Sequence, residues 1–297
     1  MRLTQIRDFL AVVESGSISA TARKLGVSQP GLTKSLSSLE AELGASLLKR
    51  TPTGVTLTRE GQAFHVRARA GYAELAKAQE ELGRGARPHV ALGLGPFFAA
   101  QIVPQAVKRF REKFPDVQLR LVEGLRHATG PMVRDATLDM ALAPRAPRDL
   151  DDPAIRFKPI AHLDQIVVAR RGHPLAKARL AAALASDEWL CSLRRDVTAE
   201  ALRALGAPEP QQITECESFG AMLTLLAESN MLAVVPHPFL DMPQVGQLVQ
   251  RVPIAERLPG LTVGLHTRAD APLTQPAGAL ARLLADIGRR LLTRERA

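Results

Sequence analysis

Three glycines, Gly16, Gly26 and Gly44, punctuate the start of this 297-residue chain and constrain its fold more than any other feature. A glycine placed after a run of apolar residues at helical spacing ends a helix, because it enters the left-handed region at no steric cost. Before Gly16, the residues Leu3, Ile6, Phe9, Leu10 and Val13 recur at that spacing. Ser17 supplies the acceptor for a second helix start, with Ile18, Ala22 and Leu25 inward, and Gly26 stops it. Ser28 caps a third helix with Pro30 in its first turn, where a missing N–H is no loss. Along it Leu32, Leu36, Leu39 and Leu43 form one apolar stripe that closes at Gly44. Pro52, Gly54 and the alternation Val55-Thr56-Leu57 then predict a small β-hairpin over 47–57.

Thr58 reads as the cap of a long proline-free helix from about 59 to 83. Its inner face is thin: Ala63, Val66, Ala70, Ala73, Leu75 and Ala76. A stripe so narrow on so long a helix predicts pairing with a second copy. After Gly85 the texture changes. Strands over 90–94, 118–122 and 139–143 alternate with helices near 99–114 and up to 135, a βαβαβ series that predicts parallel strands. A second series follows: strands at 165–169, 189–192, 213–216 and 232–235, with helices from about 177, after 198 and up to 229. A further strand at 261–266 and an amphipathic helix at 277–292 complete the chain.

Composition narrows the function classes. With 46% hydrophobic and 23% charged residues the chain reads as soluble and globular, and no apolar run is long enough to span a membrane. The N-terminus has no signal-peptide core, so a cytoplasmic location is expected. Cys191 and Cys216 lie in no C-x-x-C pair and read as inert thiols rather than a redox pair. His127, His162, His173, His237 and His266 are scattered without a second ligand at metal spacing, so no metal is expected. Gly93-Leu94-Gly95 lacks the third glycine of a phosphate fingerprint, and no catalytic constellation has local support. Neither a cofactor nor an enzymatic activity is therefore expected.

Net charge is +9, and residues 1–87 alone carry 13 Lys and Arg against 8 Asp and Glu, a net +5. That concentration favours an anionic partner at the N-terminal end. Helix, glycine turn and a further helix with an inward stripe is the sequence form of a helix-turn-helix. The outward face of the third helix carries Gln29, Thr33 and Ser37 one turn apart, with Lys34 beside them and no carboxylate over 29–38. Gln can meet adenine with two hydrogen bonds, Thr can contact a base or a thymine methyl, and Lys suits guanine or phosphate. On spacing alone, an ordinary solvated helix face stays open.

These residues also carry a resemblance. The strings FLAVVESGSISATARKLGVSQPGLTKSLSSLEAELGASLLKR and GVTLTREG resemble the N-terminal winged helix-turn-helix of LysR-type transcriptional regulators. Further along, Phe114-Pro115, Glu123-Gly124, LDMAL, LDQIVVARRGHPLA and LAVVP are similar to that family's effector-binding domain. The resemblance implies an α/β protein with an N-terminal winged helix-turn-helix over 1–58 and a long linker helix for dimerisation over 59–87. The effector domain over 88–297 would be periplasmic-binding-protein-like, with subdomain I at 88–161 and 267–297 and subdomain II at 162–266. Ser28, Gln29, Pro30, Thr33, Lys34, Ser37 and Arg50 would bind double-stranded promoter DNA. Two departures stand out: Gly31 replaces the usual alanine, and the wing tip Thr51-Pro52-Thr53-Gly54 lacks a basic residue. Phosphate anchoring would then rest on Arg50 and Arg59.

The resemblance further implies a small-molecule effector in a cleft between the two subdomains, crossed near 159–163 and near Thr267. Phe97, Phe98, Arg126, Arg145, Ser218 and Phe219 are the candidate contacts. Phe97 stands where many relatives carry Ser or Thr, which points to an aromatic or apolar effector or a partly filled cleft, while Arg145 could clamp a carboxylate. Self-association as a dimer or tetramer is implied, with RNA polymerase a further candidate partner and no membrane. Two rival readings remain: a constitutive DNA-binding protein with a closed effector cleft, and an enzyme using the α/β portion.

Overall fold

The computed structural model describes residues 1–51, 54–82, 88–145, 152–184, 188–191, 195–207, 210 and 212–292; the side chains of Arg50, Glu80, Glu81, Pro96, Arg126, Arg195, Asp196, Val197 and Glu200 fall outside that description. The chain forms two compact units, one of residues 1–88 with the segment 134–137, the other of the remainder.

The first unit holds helices α1 (Leu3–Ser15), α2 (Ile18–Leu25) and α3 (Gln29–Leu43), strands β1 (Leu48–Thr51) and β2 (Gly54–Leu57), and the long helix α4 (Arg59–Glu81). Gly16, Gly26 and Gly44 sit at the three helix ends with φ of +67°, +67° and +64°, the left-handed turn that closes each. Ser17 and Ser28 cap α2 and α3 by accepting from the amides of Ala20 and Gly31. Phe9, Val12, Ala22, Leu32, Leu36, Leu39 and Leu47 are buried together as the core. Each such leucine contributes about 1.5–3 kcal/mol by leaving water. Leu43, the last member of the expected stripe, is 38% exposed, because α3 is about to end and its final turn overhangs the core. Phe9 meets Phe64 edge-on at 5.4 Å, which ties α4 to α1.

The second unit contains two five-stranded sheets. In the first, of order β4-β3-β5-β12-β6, β3 (His89–Leu94) lies parallel to β4 (Gln118–Glu123) and β5 (Met140–Pro144), while β12 (Leu261–Arg268) runs antiparallel to both its neighbours, β5 and β6 (Ile155–Leu163). The second sheet has the order β11-β7-β10-β8-β9. Its strands are β7 (Gln165–Arg170), β8 (Trp189–Cys191), β9 (Ile213–Glu215), β10 (Leu232–Pro236) and β11 (Val249–Arg251). Here β10 is parallel to β8 and antiparallel to β7. Helices α5 (Pro96–Gln101), α6 (Val103–Lys113), α7 (Arg126–Arg134), α8 (Arg195–Ala204), α9 (Phe219–Glu228), α10 (Pro243–Gly246) and α11 (Gln275–Leu292) complete the unit.

Several expectations are corrected. Both sheets are mixed rather than parallel, since each receives one reversed strand arriving from the other, β12 in the first and β7 in the second. The return crossing precedes Leu261, not Thr267: residues 261–266 pair with β5 and β6, so they belong to the first sheet. The helix expected over 99–114 is two helices meeting at Ile102, because Pro104 has no N–H to continue the ladder. The helix expected from 177 is only a short 3-10 turn at Ala181–Leu184. Strand β6 escaped the pattern because Pro159 interrupts it. The ladder shifts beside that residue: Ala161 lies opposite Val263 and Pro159 opposite Gly264, with Ile160 the extra residue, and an added Cβ on Gly264 would overlap the Lys158 carbonyl and the Phe157 ring.

Candidate nucleic-acid interface and effector cleft

The outward side of α3 is set by what its inner side buries. Leu32, Leu36 and Leu39 are 1%, 4% and 0% exposed, so residues between them on the helix wheel must face water. Ser28, Gln29, Pro30, Lys34 and Ser37 are exposed, and Thr33 is half-buried at the edge of the same face. Ser28 spends its hydroxyl oxygen on the Gly31 amide at 3.2 Å, which leaves Gln29, Thr33, Lys34 and Ser37 as the outward polar groups. Among the described residues no carboxylate pairs with Lys34, and the acid-free stretch 29–38 leaves its charge uncompensated on that face. Arg50 lies in β1, opposite Val55 of β2, with its side chain outside the described residues. The wing residues Pro52 and Thr53 also lie outside them. Arg59 is exposed at the start of α4.

Three features that hold this face were not read from the sequence. Helix α1 grips α3 through polar groups: Ser35 donates to Asp8 at 2.7 Å, and the Gln5 amide donates to Ser38 at 3.1 Å and to Glu42 at 3.3 Å. Asp8 also holds the Arg7 guanidinium at 2.8 Å. Glu40, on the far side of α3, accepts from the backbone amides of Leu47 and Leu48 at 2.7 and 3.0 Å and so anchors the wing. Ser19 of α2 donates to Oε1 of Gln29 at 3.0 Å. Glu40 lies within the string that carries the family resemblance, but its partners come from a different element.

In the second unit the candidate effector residues separate into three groups. Phe97, 8% exposed, meets Phe239 with ring centroids 6.3 Å apart, and Phe239 meets Phe219 at 5.8 Å. These rings bridge the two sheets' subdomains, since Phe97 follows β3 while Phe219 and Phe239 follow β9 and β10. Phe239 was missed by sequence; its one signal was its place just after an apolar strand. Phe98 stacks edge-on with Phe97 at 4.9 Å and is 2% exposed, a core residue. Ser218 is the cap of α9, accepting from the Ala221 amide, and Arg145 lays its guanidinium over the Phe157 ring at 5.3 Å. Arg126 opens α7, with its side chain outside the described residues.

Two more contacts cross between the subdomains. The Gln101 amide donates to the Pro238 carbonyl at 3.3 Å, and His127 meets Glu217 at 3.3 Å. Cys216 is half-buried and Cys191 buried. Among the described residues, no group of three His, Cys, Asp or Glu side chains is placed to hold a metal, and no helix is long and apolar enough to cross a membrane.

Comparison with known proteins agrees with this arrangement. Residues 3–62 match the family described as "Bacterial regulatory helix-turn-helix protein, lysR family", and residues 83–288 match that described as "LysR substrate binding domain". The SDS degradation transcriptional activation protein of Pseudomonas sp. (strain ATCC 19151) is 32% identical over 298 residues, covering 96% of this chain and 95% of that protein. The crystal structure of ArgP from Mycobacterium tuberculosis shares the fold with a TM-score of 0.74 at 17% identity, covering 95% of this chain and 96% of that one. Full-length CbnR complexed with its target DNA has a TM-score of 0.63 at 20% identity, covering 98% and 100%. Regulators of this kind bind promoter DNA and small-molecule effectors and self-associate. The chain is thus a member of the LysR family of DNA-binding transcriptional regulators, with an N-terminal helix-turn-helix and a C-terminal effector-binding domain.

Proposed function

We propose that residues 1–58 read promoter half-sites by seating α3 in the major groove, with Gln29, Thr33, Lys34 and Ser37 toward the bases and phosphates. Ser28 and Pro30 shape the helix start, and Arg50 and Arg59 hold the backbone. The observation that carries this reading is the exposed, acid-free polar face of α3 opposite its buried leucines. Residues 59–87 pair two chains; the 52% exposure of Leu75 on α4 supports a partner there. Two paired chains present two recognition helices to a pseudo-palindromic site, with half-sites about one helical turn or a multiple of it apart. The protein acts in the cytoplasm and catalyses no reaction.

Residues 88–297 hold the effector. The Phe97, Phe239 and Phe219 contact favours a ligand with an aromatic or long apolar body that displaces or intercalates among the rings. The name of the Pseudomonas relative makes alkyl sulfates one panel to test, beside aromatic carboxylates that Arg145 would suit. The same three rings favour a second reading, in which they fill the cleft and the protein binds DNA constitutively. Thermal unfolding separates the two. A bound effector at 100 times its Kd stabilises by about 2.7 kcal/mol, whereas a filled cleft gives no shift with either panel. The DNA reading is tested by selection from a random duplex library: two enriched half-sites support it, and sequence-indifferent binding contradicts it.

A further inference from the structure

Ser19 stands exposed in the first turn of α2, and its hydroxyl donates to Oε1 of Gln29, 3.0 Å away in the first turn of α3. The bond joins the two helices at the end where α3 begins its outward face. Neighbouring hydroxyls are already committed elsewhere: Ser17 accepts from the Ala20 amide, and Ser15 and Thr21 bond each other at 2.5 Å. Ser19 is therefore the hydroxyl of α2 that reaches across to α3.

A glutamine amide has two unlike ends, an acceptor oxygen and a donor nitrogen, and a half-turn of its last torsion exchanges them. An unrestrained Gln29 has no fixed polarity toward the groove. Here the Ser19 hydroxyl pins one end of the amide: it donates to the oxygen, which keeps one lone pair, and the Nε2 donors turn outward. An amide fixed in this sense fits adenine, whose N7 accepts and whose N6 amino group donates. Guanine offers acceptors at both places, and only one of them can be met.

We propose that Ser19 is a specificity-determining residue that acts through Gln29, fixing the amide so that it discriminates between purines at the base pair it faces. This rests on the reading that α3 enters the major groove. The bond is weak while both groups face water. It strengthens once DNA covers the junction and excludes solvent.

The test uses the full-length protein and a randomised duplex library, followed by fixed duplexes carrying each base pair at the position that Gln29→Ala flattens. Ser19→Ala lowers the discrimination there by about two- to tenfold, the worth of one hydrogen bond. Ser19→Thr, which keeps the hydroxyl, retains the wild-type preference. The double variant Ser19→Ala/Gln29→Ala is no flatter than Gln29→Ala alone. A Ser19→Ala profile identical to the wild type, beside a flattened Gln29→Ala profile, overturns the proposal and leaves the groove reading standing. So does a Ser19→Ala effect that persists unchanged in the Gln29→Ala background. A Gln29→Ala profile identical to the wild type removes Gln29 from base reading and overturns the proposal together with that part of the groove reading.

Discussion

Replacing Glu40 by alanine tests how α3 and the wing are held as one unit. The Glu40 carboxylate receives the amides of Leu47 and Leu48 at 2.7 and 3.0 Å. Leu47 is 2% exposed, so its amide has no ready substitute in water, while Leu48 is half-buried and its amide recovers part of its loss from solvent. A hydrogen bond to a charged group contributes about 1.5–3 kcal/mol, and an abandoned buried donor costs about 1–3 kcal/mol. Counting the Leu47 bond in full and the Leu48 bond in part, Glu40→Ala destabilises the first unit by about 2–4 kcal/mol. Glu40→Gln keeps an acceptor without the charge and loses about half of that. For a unit of this size such a loss lowers its midpoint by about 10–25 °C. Hydrogen exchange of the full-length protein, followed over residues 1–62, measures the change. Trp189, the sole tryptophan, lies in the second unit and serves as an internal control. Loss of protection smaller than about 0.5 kcal/mol, or an equal shift of the Trp189 transition, refutes the reasoning.

Four further outcomes are expected. Lys34→Ala weakens DNA binding across all sequences and lowers the salt slope by about 1 if the ammonium meets a phosphate; an unchanged slope in a salt titration removes it from the backbone. Gly61→Ala places a methyl group against the Leu47 carbonyl, so circular dichroism should report an unfolded or markedly destabilised first unit, and a wild-type melt would contradict that packing. Phe239→Ala removes a ring with no exposed surface and costs the second unit about 3–5 kcal/mol, read as a shift in Trp189 fluorescence on urea unfolding. Burial, assisted by the Arg69 guanidinium, holds the His65 imidazole below its ordinary value. The folded state then binds its proton less readily than the unfolded chain, so stability is full above the ordinary histidine range and falls as pH drops through it toward the lowered value. His65→Gln should flatten that slope in the first unit's unfolding, and an unaltered slope would rule His65 out.

What could be read from the sequence was what is local. The starts and stops of α1, α2 and α3 rest on Ser17, Ser28, Gly16, Gly26 and Gly44, each acting within one turn, and they lie where the pattern placed them. The polar face of α3 followed from the same periodicity. Elements shaped by distant partners were harder. Strand β6 carries Pro159 and pairs with β12 roughly a hundred residues later through an irregular ladder, so no local alternation announced it. The direction of β12 depends on the chain's return from the second sheet, which no window of sequence contains.

The candidate sites divide in the same way. Gln29 and Lys34 were visible as outward residues on one helix, whereas Ser19, Asp8 and Glu40 matter through other elements. Phe97 and Phe219 are candidate contacts that the family resemblance implies. Their common partner Phe239 appears only when the two subdomains meet. Phe98, chosen with its neighbour, turned into the core because successive helical residues point in different directions.

The central claim is that the exposed face of α3 reads DNA bases. Genomic fragments selected by the full-length protein, then footprinted at purine N7 positions, adenine and guanine alike, across a salt series, test it most directly. The account predicts protection at two half-sites, binding that weakens steeply with salt, and loss of the base-edge protection in a Gln29→Ala/Thr33→Ala variant that still binds weakly. Protection that the variant leaves intact, or binding with no preferred fragment, would contradict it.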